Sequence, residues 1–307
     1  MAHDYDLAVV GAGCAGLAAG IYGGRAGMRV VILDKGKAGG QLLITPSIEN
    51  YVGIRSIPGP DLAQQMLEHA SQYSEVREFD PVESVRAEGG TVHVRASSGD
   101  LTASALLIAT GAEHQHLGVP GEERLAGKGV SYCATCDGFF FKNRRVITVG
   151  GGSTAAIESL YLKGIGVDVS IVHRRDKLRA ESALRDEVAS KGVPVIYNTV
   201  VEEVMGEKRV ERVRVRRVDT GKVEEMPVEG VFVAIGLRPN NELVDQLGLE
   251  KTPEGLVRVD SRYRTSNDRV FAAGDLIGGV RQAITAAAAG AVASLNVLPL
   301  VGKQYPW

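Results

Sequence analysis

Three residues in one short segment could carry out redox chemistry. Cys133 and Cys136 are separated by two residues, and Asp137 follows directly, in the segment CATCDG. In a reducing compartment, this cysteine spacing is typical of a dithiol/disulfide exchange centre or of a metal site. Zinc needs about four ligands, whereas the sequence offers three cysteines and six scattered histidines. We therefore expect thiol–disulfide exchange at this segment and no metal.

The residues near the cysteine pair include a possible proton donor. A carboxyl at Asp137 could protonate a departing thiolate, or it could close an Asx-type turn before Gly138. His114 and His116 are the closest pair of histidines in the sequence, and we interpret them as part of a polar loop. Cys14 lies in a glycine-rich turn where a small residue suffices, so we expect it to pack rather than to react.

The first of two glycine-rich turns, GAGCAG, predicts a dinucleotide site. It follows an apolar run over Tyr5–Val10 and precedes an alanine-rich helical pattern and a β-branched run that ends at Asp34. The three glycines of such a unit permit a tight turn, a close approach to a pyrophosphate, and close packing of helix on strand. They are Gly11, Gly13 and Gly16. The carboxylate of Asp34 can accept hydrogen bonds from ribose hydroxyls. It favours a free 2′-hydroxyl over a 2′-phosphate, which predicts FAD or NAD rather than NADP.

The second turn, GGGSTA, repeats the pattern about 140 residues later. Here the second strand ends in basic residues instead of an acid: His173, Arg174 and Arg175, with Arg179 four positions on. Guanidinium groups pair bidentately with phosphate oxygens, so this cluster predicts the 2′-phosphate of NADPH. A solvated basic turn is the alternative interpretation. The pyrophosphate would lie on the turn and the start of the helix, at Gly150, Gly152, Ser153 and Thr154.

The two βαβ units predict an α/β protein with two Rossmann-like dinucleotide-binding domains. Glycine-bearing joints at 110–112 and 236–239 predict that the NADPH domain is inserted into the FAD domain. The predicted FAD-binding domain covers 1–112 and 240–307, and the predicted NADPH-binding domain covers 113–239 and carries the cysteine pair. Alternating residues around SSGD and DTGK predict hairpins, 91–96 with 101–108 and 210–218 with 223–233.

Composition excludes several classes of protein. The 307 residues carry a net charge of −2, which argues against a nucleic-acid binder. The N-terminal MAHDYDLAVV lacks the basic and apolar regions of a signal peptide. The apolar stretch 283–301 is rich in alanine and contains polar residues, so we interpret it as a buried helix rather than a membrane span. We expect a soluble, cytoplasmic protein with neither nucleic acid nor membrane as a partner.

The order of the motifs along nearly the whole chain is specific. They run GAGCAG, GGQ at 39–41, IENYVG at 48–53, LLIATGA at 106–112, CATCDG, GGGSTA, HRRxxxR, AAGD at 272–275 and RQAITAA from 281. The set resembles the low-molecular-weight thioredoxin reductases, which are FAD- and NADPH-dependent pyridine nucleotide-disulfide oxidoreductases. Cys14, Asp34 and Val52 depart from the residues that this family often has, without touching the redox chemistry. With no thioredoxin domain in this sequence, we expect neither the alkyl-hydroperoxide-reductase flavoprotein nor a fused reductase–thioredoxin.

The resemblance implies further residues of the FAD site. Asp275 would reach the ribityl chain, and the backbone at Gln282 and Ala283 would lie beside the isoalloxazine ring. With the glycine turn and Asp34, the full set implied for FAD is Gly11, Gly13, Ala15, Gly16, Asp34, Lys35, Gly39, Gly40, Gln41, Asn50, Val82, Thr110, Gly111, Gly274, Asp275, Arg281, Gln282 and Ala283.

The resemblance also implies an activity. NADPH would reduce FAD, reduced FAD would reduce the Cys133–Cys136 disulfide, and the dithiol would reduce thioredoxin or a thioredoxin- or glutaredoxin-like protein. Cys136 would lie nearest the flavin, Cys133 would attack the partner, and Asp137 would act as acid and base. The enzyme would be a homodimer, whose joints let the NADPH domain swivel between half-reactions.

Three alternatives remain. Two keep the fold: a flavoprotein that takes electrons from ferredoxin or a deazaflavin, and a small-dithiol oxidase. The arginine cluster argues against both, because neither needs NADPH. The third belongs to another class, a non-catalytic FAD/NADP redox sensor, which would need no cysteine pair beside a flavin.

Overall fold

The computed structural model of the chain describes residues 3–45 and 47–304. The chain folds into two compact units. The first is formed by the residues up to Glu113 and from Arg238 onwards, and the second by His114–Leu237. The first unit is therefore discontinuous in sequence.

Strands and helices alternate over much of the described chain. The strands are β1 (Tyr5–Val10), β2 (Val30–Leu33), β3 (Glu75–Arg77), β4 (Val82–Glu88), β5 (Thr91–Ala96), β6 (Gly99–Ile108), β7 (Ala112–His114), β8 (Val130–Ser131), β9 (Arg145–Gly150), β10 (Asp168–Val172), β11 (Val195–Ile196), β12 (Thr199–Met205), β13 (Arg212–Arg217), β14 (Val223–Pro227), β15 (Gly230–Ala234), β16 (Leu237–Pro239) and β17 (Val270–Ala272). The α-helices are α1 (Cys14–Arg25), α2 (Gly59–Ala70), α3 (Ala134–Asp137), α4 (Ser153–Gly164), α5 (Ser182–Ser190), α6 (Glu242–Gln246) and α7 (Ala283–Leu295). Short 3-10 helices cover Gly40–Ile44, Gly138–Phe141, Gly274–Ile277 and Leu298–Val301.

The first unit is built on a sheet of order β3-β2-β1-β6-β5-β4, with β17 also pairing with β6. The neighbours β3, β2, β1 and β6 are parallel, as is β17 with β6. Strands β1 and β2 are almost fully apolar, as expected for parallel strands covered on both faces. Their carboxyl ends meet at one edge, where the glycine turn after β1 and Asp34 after β2 both lie. The predicted hairpin of β5 and β6 is confirmed, and β4 extends it.

Helix α7 packs closely against α1 in the first unit. A Cβ at Gly290 would lie 1.9 Å from the carbonyl oxygen of Ala15, so only glycine permits this approach. The stretch Ala283–Val301 has a mean hydropathy of 1.8. By length and composition alone, it is long and apolar enough to span a membrane. The core helix of a soluble protein passes the same test, and alanines 287, 289, 291 and 293 are buried.

The second unit has a parallel sheet of order β11-β10-β9-β15-β8 and an antiparallel sheet of order β12-β13-β14. The predicted pairing of β13 with β14 is confirmed. The prediction of one strand over 223–233 is wrong, because β14 ends at Pro227 and β15 joins the parallel sheet beside β9. Proline lacks the N–H that a ladder needs, so the edge strand stops there. The parallel strands of the two main sheets, connected through helices, confirm the predicted α/β class.

Candidate functional site

The first glycine turn has the geometry of a phosphate-binding loop. Gly11 has φ +105°, and a Cβ there would lie 2.3 Å from the Ala109 carbonyl oxygen. A Cβ at Gly16 would lie 1.8 Å from the Gly11 carbonyl oxygen, whereas one at Gly13 would meet no atom within 4 Å. Gly13 caps α1 without a side-chain hydrogen bond. The start of α1 is therefore open beside Gly13, where a pyrophosphate could approach the backbone.

Asp34 ties the end of β2 to this turn. Its Oδ2 accepts the N–H of Ala12 at 2.6 Å, and its Oδ1 accepts the N–H of Gly36 at 2.9 Å. Each carboxylate oxygen keeps a lone pair for a ribose hydroxyl. The N–H of Asp80 donates to the Asp34 carbonyl at 2.8 Å, so Val82 starts β4 two residues from this contact.

Two further contacts join segments of the first unit that are distant in sequence. One brings the segment at Gly39 to the first turn, and the other joins Asn50 to Gln282. The Gly39 N–H donates to the Ala12 carbonyl at 2.8 Å, and a Cβ at Gly40 would lie 3.3 Å from Gly13 Cα. Asn50 Nδ2 donates to Gln282 Oε1 at 2.9 Å, although 232 positions separate them. The fold thus brings Gly39 and Gly40 to the first turn, and Asn50 to Gln282.

Asp275 is a half-buried carboxyl near the start of α1. Burial raises the pKa of Asp275, and Arg281 opposes that rise. The neighbouring Gly274 has φ +77°, and a Cβ there would lie 3.2 Å from Ala15 Cβ. Nε of Arg281 is buried and has no hydrogen-bond partner within the described part of the chain. An enclosed carboxyl and an unsatisfied guanidinium N–H are suited to hydroxyl and phosphate groups of a ligand.

The remaining residues implied for FAD lie in the first unit with different contacts. Gln41 Nε2 donates to the Ala112 carbonyl at 3.2 Å, and Thr110 Oγ1 donates to the Asn240 carbonyl at 2.9 Å. Gly111 has φ +67°. Lys35 is exposed and forms an ion pair with Glu113 at 3.3 Å. Ala283 is the first residue of α7, which Gln282 caps.

The second glycine turn follows β9 and repeats this geometry with one change. A Cβ at Gly150 would lie 2.3 Å from the Ala234 carbonyl oxygen, whereas one at Gly152 would meet no atom within 4 Å. Gly152 caps α4 without a side-chain hydrogen bond, so N–H groups at Ser153 and Thr154 are available to a phosphate. Ala155 stands where the first turn has its third glycine, and it is fully buried.

The basic residues after β10 divide into a buried histidine and exposed arginines. The His173 ring lies under the glycine turn, 2.1 Å from where a Cβ at Gly151 would be, and Nε2 contacts the Lys177 carbonyl at 3.1 Å. Burial lowers the pKa of His173. Arg174, Arg175 and Arg179 are exposed, and no ion pair engages them among residues 3–45 and 47–304. The Arg179 N–H donates to the Gly151 carbonyl at 2.6 Å, which places this arginine beside the turn.

The cysteine pair forms a disulfide in the second unit. Cys133 and Cys136 are bonded, with their Cα atoms 5.3 Å apart. Cys133 caps α3, and its Sγ accepts the N–H of Cys136 at 3.2 Å. An N–H aimed at the sulfur favours the thiolate once the bond is reduced. The described residues contain no cluster of three side chains that could hold a metal, and the geometry here is that of a disulfide.

Asp137 is enclosed beside this disulfide. Its Oδ2 accepts the hydroxyl of Ser131 at 2.6 Å, and Ser131 Oγ accepts the N–H of Cys133 at 3.1 Å. Burial raises the pKa of Asp137, and the Ser131 hydrogen bond works in the opposite direction. A carboxyl with a raised pKa keeps its proton to a higher pH than an exposed carboxyl does, which suits an acid and base in thiol exchange. Asp137 ends α3, so the local structure is helical, and its side chain faces Ser131 rather than closing an Asx turn.

Two features of this site were not predicted from the sequence. Glu158 on α4 accepts the N–H of Ala134, its Oε2 is buried without a partner in the described chain, and burial raises its pKa to about 7. Nothing in the sequence pattern of α4 separates this residue from a surface glutamate. Phe139 and Phe140 follow α3 and are 67% and 46% exposed. The run of three phenylalanines after CATCDG was the available signal, since three consecutive side chains cannot all turn inward on a 3-10 helix.

Comparisons with known proteins agree with this arrangement. A family profile described as pyridine nucleotide-disulphide oxidoreductase matches residues 5–290. A thioredoxin reductase of Listeria innocua is 42% identical over 95% of this chain and 92% of its own length. One of Mycolicibacterium smegmatis is 41% identical over 98% of this chain and 97% of its own.

A solved structure supports the same relationship. The crystal structure of thioredoxin reductase from Streptococcus pyogenes superposes with a TM-score of 0.91 at 37% identity, covering 97% of this chain and 98% of that one. Sequence and fold therefore agree over nearly the full length of the chain. The chain belongs to the pyridine nucleotide-disulphide oxidoreductase family and, within it, to the thioredoxin reductases.

Proposed function

We propose that the protein is an NADPH-dependent thioredoxin reductase that uses FAD and the Cys133–Cys136 pair. The observation that carries this proposal is a closed disulfide beside the half-buried carboxyl of Asp137, in the unit that has the second glycine turn and the exposed arginines after β10. Relatives that are named thioredoxin reductase and match nearly the whole chain support it.

The first unit fits FAD. Its glycine turn has open space at Gly13, and Asp34 has lone pairs for ribose hydroxyls. Asp275 and the unsatisfied Nε of Arg281 are polar groups whose burial without a partner costs free energy, so they are suited to hydrogen bonds with a bound ligand. The residues that we assign to FAD are those named above: Gly11, Gly13, Ala15, Gly16, Asp34, Lys35, Gly39, Gly40, Gln41, Asn50, Val82, Thr110, Gly111, Gly274, Asp275, Arg281, Gln282 and Ala283.

The second unit fits NADPH. Gly150, Gly152, Ser153 and Thr154 would hold the pyrophosphate, and Arg174, Arg175 and Arg179 would pair with the 2′-phosphate. We assign His173 to the same site as a buried ring beneath the turn, because it packs on Gly151. When bound, FAD supplies a two-electron carrier between NADPH and the disulfide.

The residues of this chain then carry the exchange with the partner. The Cys133 thiolate, which the Cys136 N–H stabilises, attacks one sulfur of the thioredoxin disulfide and forms a mixed disulfide. Asp137 protonates the thiolate that leaves. Cys136 then attacks Cys133 Sγ, which releases the second thiolate of thioredoxin and closes the Cys133–Cys136 bond. The partner disulfide is reduced and the enzyme dithiol is oxidised, so two electrons are transferred.

Surface features support the proposed partners. The exposed Phe139 and Phe140 lie directly after the disulfide and offer an apolar face to thioredoxin or a related protein. We further propose a cytoplasmic homodimer. The exposed apolar side chains of Tyr22 on α1 and Val292 on α7 offer the first unit a surface for a second copy.

An anaerobic titration of the yellow protein tests the proposal. NADPH should bleach the flavin of the wild type, and of Cys133→Ser and Cys136→Ser, whereas each substitution should abolish thioredoxin reduction. Cys14→Ala, which removes the third cysteine, should retain thioredoxin reduction. If NADPH fails to bleach a flavin that dithionite reduces, the donor assignment is wrong. If both cysteine variants still reduce thioredoxin, the disulfide is not the exchange centre.

A further inference from the structure

Two histidine rings surround Tyr132, the residue directly before Cys133. The Tyr132 ring lies 5.3 Å from the His114 ring and 5.1 Å from the His116 ring, the latter edge-to-face. All three residues belong to the second unit. The exchange chemistry described above uses none of them.

The hydroxyl of Tyr132 is held by a buried carboxylate. It donates to Oε1 of Glu122 at 2.9 Å, and Glu122 is only 1% exposed. The same carboxylate accepts the N–H of Leu117 at 2.9 Å and that of Gly118 at 2.8 Å. Burial, together with Glu122, raises the pKa of Tyr132, so its hydroxyl stays protonated and remains a donor.

His116 completes the hydrogen-bond chain. Its Nδ1 lies 2.9 Å from the Tyr132 oxygen and 3.6 Å from Glu122 Oε1. A phenol has one hydrogen, and Tyr132 gives it to Glu122, so Nδ1 of His116 must donate. Nδ1 carries a hydrogen in the imidazolium and in one neutral tautomer. When that hydrogen is absent, Glu122 and His116 compete for the single hydrogen of Tyr132.

Tyr132 and Ser131 anchor Cys133 from opposite sides. The backbone of Cys133 is extended, with φ −147° and ψ 104°. In extended chain, successive side chains point in opposite directions, so Ser131 and Tyr132 reach different surroundings. Ser131 accepts the N–H of Cys133 at 3.1 Å, and Tyr132 fixes the same backbone through Glu122. A shift of this backbone would move Cys133 Sγ away from the Cys136 N–H that favours its thiolate.

We propose that Tyr132 is a positioning residue for Cys133, and that its hold depends on the hydrogen at Nδ1 of His116. Loss of that hydrogen slows the exchange step of the dithiol. The charged and titratable groups that face Tyr132 are His114 and His116 from the preceding segment, Glu122 and Glu123 from the following loop, and Asp137 beyond Ser131. For its substrate, the proposal rests on the proposed thioredoxin reduction.

The first test compares Tyr132→Phe with the wild type. Phenylalanine keeps the ring between the two histidines and removes the hydroxyl. We expect kcat/KM for an oxidised bacterial thioredoxin to fall roughly threefold to tenfold, the effect of one lost hydrogen bond. The rate at which NADPH bleaches the flavin should not change, because the dinucleotide sites do not involve Tyr132. An unchanged kcat/KM would overturn the proposal.

The second test isolates the hydrogen on His116. Glutamine at this position keeps an N–H donor, alanine removes it, and the side chain of His116 is 56% exposed, so both variants should fold. His116→Gln should keep the wild-type kcat/KM, whereas His116→Ala should lower it roughly threefold, the effect of one lost hydrogen bond. The exposed His93 on β5 provides the control, and His93→Ala should leave kcat/KM unchanged. An unchanged kcat/KM in His116→Ala would refute the dependence on Nδ1.

A readout without thioredoxin separates this proposal from the proposed function. In a Cys136→Ser background, iodoacetamide labels the Cys133 thiolate, and mass spectrometry measures the rate. Here the Cys136 N–H remains as a serine N–H, so the decreases in the labelling rate caused by Tyr132→Phe and by His116→Ala should persist. If the wild type fails to reduce thioredoxin while these labelling effects appear, only the substrate assignment is wrong. If both labelling effects are absent, Tyr132 does not position Cys133.

Discussion

The two glycine turns share a backbone geometry and differ in everything that surrounds it. In each, the first glycine lies against a carbonyl, 2.3 Å from where its Cβ would be, and the third residue of the turn opens on free space at Gly13 and Gly152. The first turn is covered by another segment of the first unit. The Gly39 N–H donates a hydrogen bond to the Ala12 carbonyl, and Gly40 packs against Gly13. The second turn contacts the exposed basic segment after β10.

The strand ends show the same difference. Asp34 uses both carboxylate oxygens to hold backbone N–H groups, so it belongs to the wall of its site. Arg174, Arg175 and Arg179 are exposed and free of ion pairs in the described residues. A site enclosed by backbone is suited to a group that stays bound, and an exposed cationic site is suited to a ligand that exchanges. We therefore expect FAD to remain bound through turnover and NADPH to come and go.

The largest expected effect comes from one substitution made in both turns. Gly13→Ala and Gly152→Ala each place a methyl group where no protein atom lies within 4 Å, so both variants should fold. The methyl group occupies the space that a pyrophosphate needs. Gly13→Ala should purify almost without flavin, as its absorbance would show. Gly152→Ala should keep its flavin and need at least tenfold more NADPH for half-bleaching, about 1.4 kcal/mol of lost binding.

Gly164→Ala provides the matched control for this pair. It lies at the end of α4, its Cβ would also meet nothing within 4 Å, and alanine is the better helix former. This variant should keep both flavin and NADPH affinity. Full flavin content in Gly13→Ala would contradict the assignment of the first turn to FAD.

An effect smaller than the loss of flavin is expected from the arginines that distinguish the second turn. Replacing Arg174, Arg175 and Arg179 by glutamine removes the charges assigned to the 2′-phosphate. The three arginines are exposed, so solvent screens their charges and we expect them to contribute about 2.8 kcal/mol together, which raises the KM for NADPH on the order of 100-fold. The KM for NADH should change less than about threefold, because NADH has no 2′-phosphate.

The control for the arginine cluster lies at the other end of the same sheet. Arg144 is exposed and precedes β9, whereas the cluster follows the carboxyl end of β10. Arg144→Gln should leave both KM values unchanged. Equal losses for NADPH and NADH in the triple variant would show that these arginines do not read the 2′-phosphate.

The sequence predicted the two turns well because their function depends on local backbone geometry. Gly11, Gly13 and Gly16 act through the absence of a side chain, and the flanking apolar runs identify the strands. For Asp34 the sequence predicted only an acceptor for ribose hydroxyls, whereas the structure shows that it also accepts the N–H groups of Ala12 and Gly36. The assignments to FAD and NADPH stay predictions that the experiments above test.

Other features depend on contacts that no short pattern contains. Glu158 meets Ala134 only because α4 packs against the cysteine segment, and Tyr132 meets Glu122 only because the intervening loop folds back. The strand predicted over 223–233 was wrong because its alternation continues through Pro227, where the chain leaves one sheet for another. In each case the decisive partner lies in another element.

A third difference between the units is the residue type at equivalent positions of the helices that follow the two glycine turns, α1 and α4. Glu158 on α4 occupies the position that the fully buried Ala19 has on α1. Its pKa is raised from 4.5 to about 7, so the native state binds a proton more tightly than the unfolded chain does. Stability should therefore fall as pH rises from about 4.5 to about 7 and level off above that range. Glu158→Gln should remove this loss.

Thermal unfolding at two pH values measures the Glu158 effect. Near pH 4 the wild type and Glu158→Gln should melt within about a degree of each other, since both side chains are neutral. Near pH 8 the variant should be more stable by up to about 3 kcal/mol, because no charge is buried. The exposed Glu187 on α5 supplies the control, and Glu187→Gln should show no such pH dependence. An equal melting difference at both pH values would contradict the raised pKa of Glu158.

The smallest expected effect compares the first helical residue of each unit, Cys14 and Ser153. Burial raises the pKa of Cys14 to about 12, with a contribution from the charge of Asp275, so only about one thiol in 10,000 is a thiolate near pH 8. Iodoacetamide should therefore leave Cys14 unlabelled in the folded holoprotein and label it after denaturation. Ser153→Cys puts a thiol at the equivalent position of the more open turn, and we expect labelling there that NADP⁺ prevents. Labelling of Cys14 in the folded protein at a rate similar to that of Ser153→Cys would show that the first turn is no more enclosed than the second.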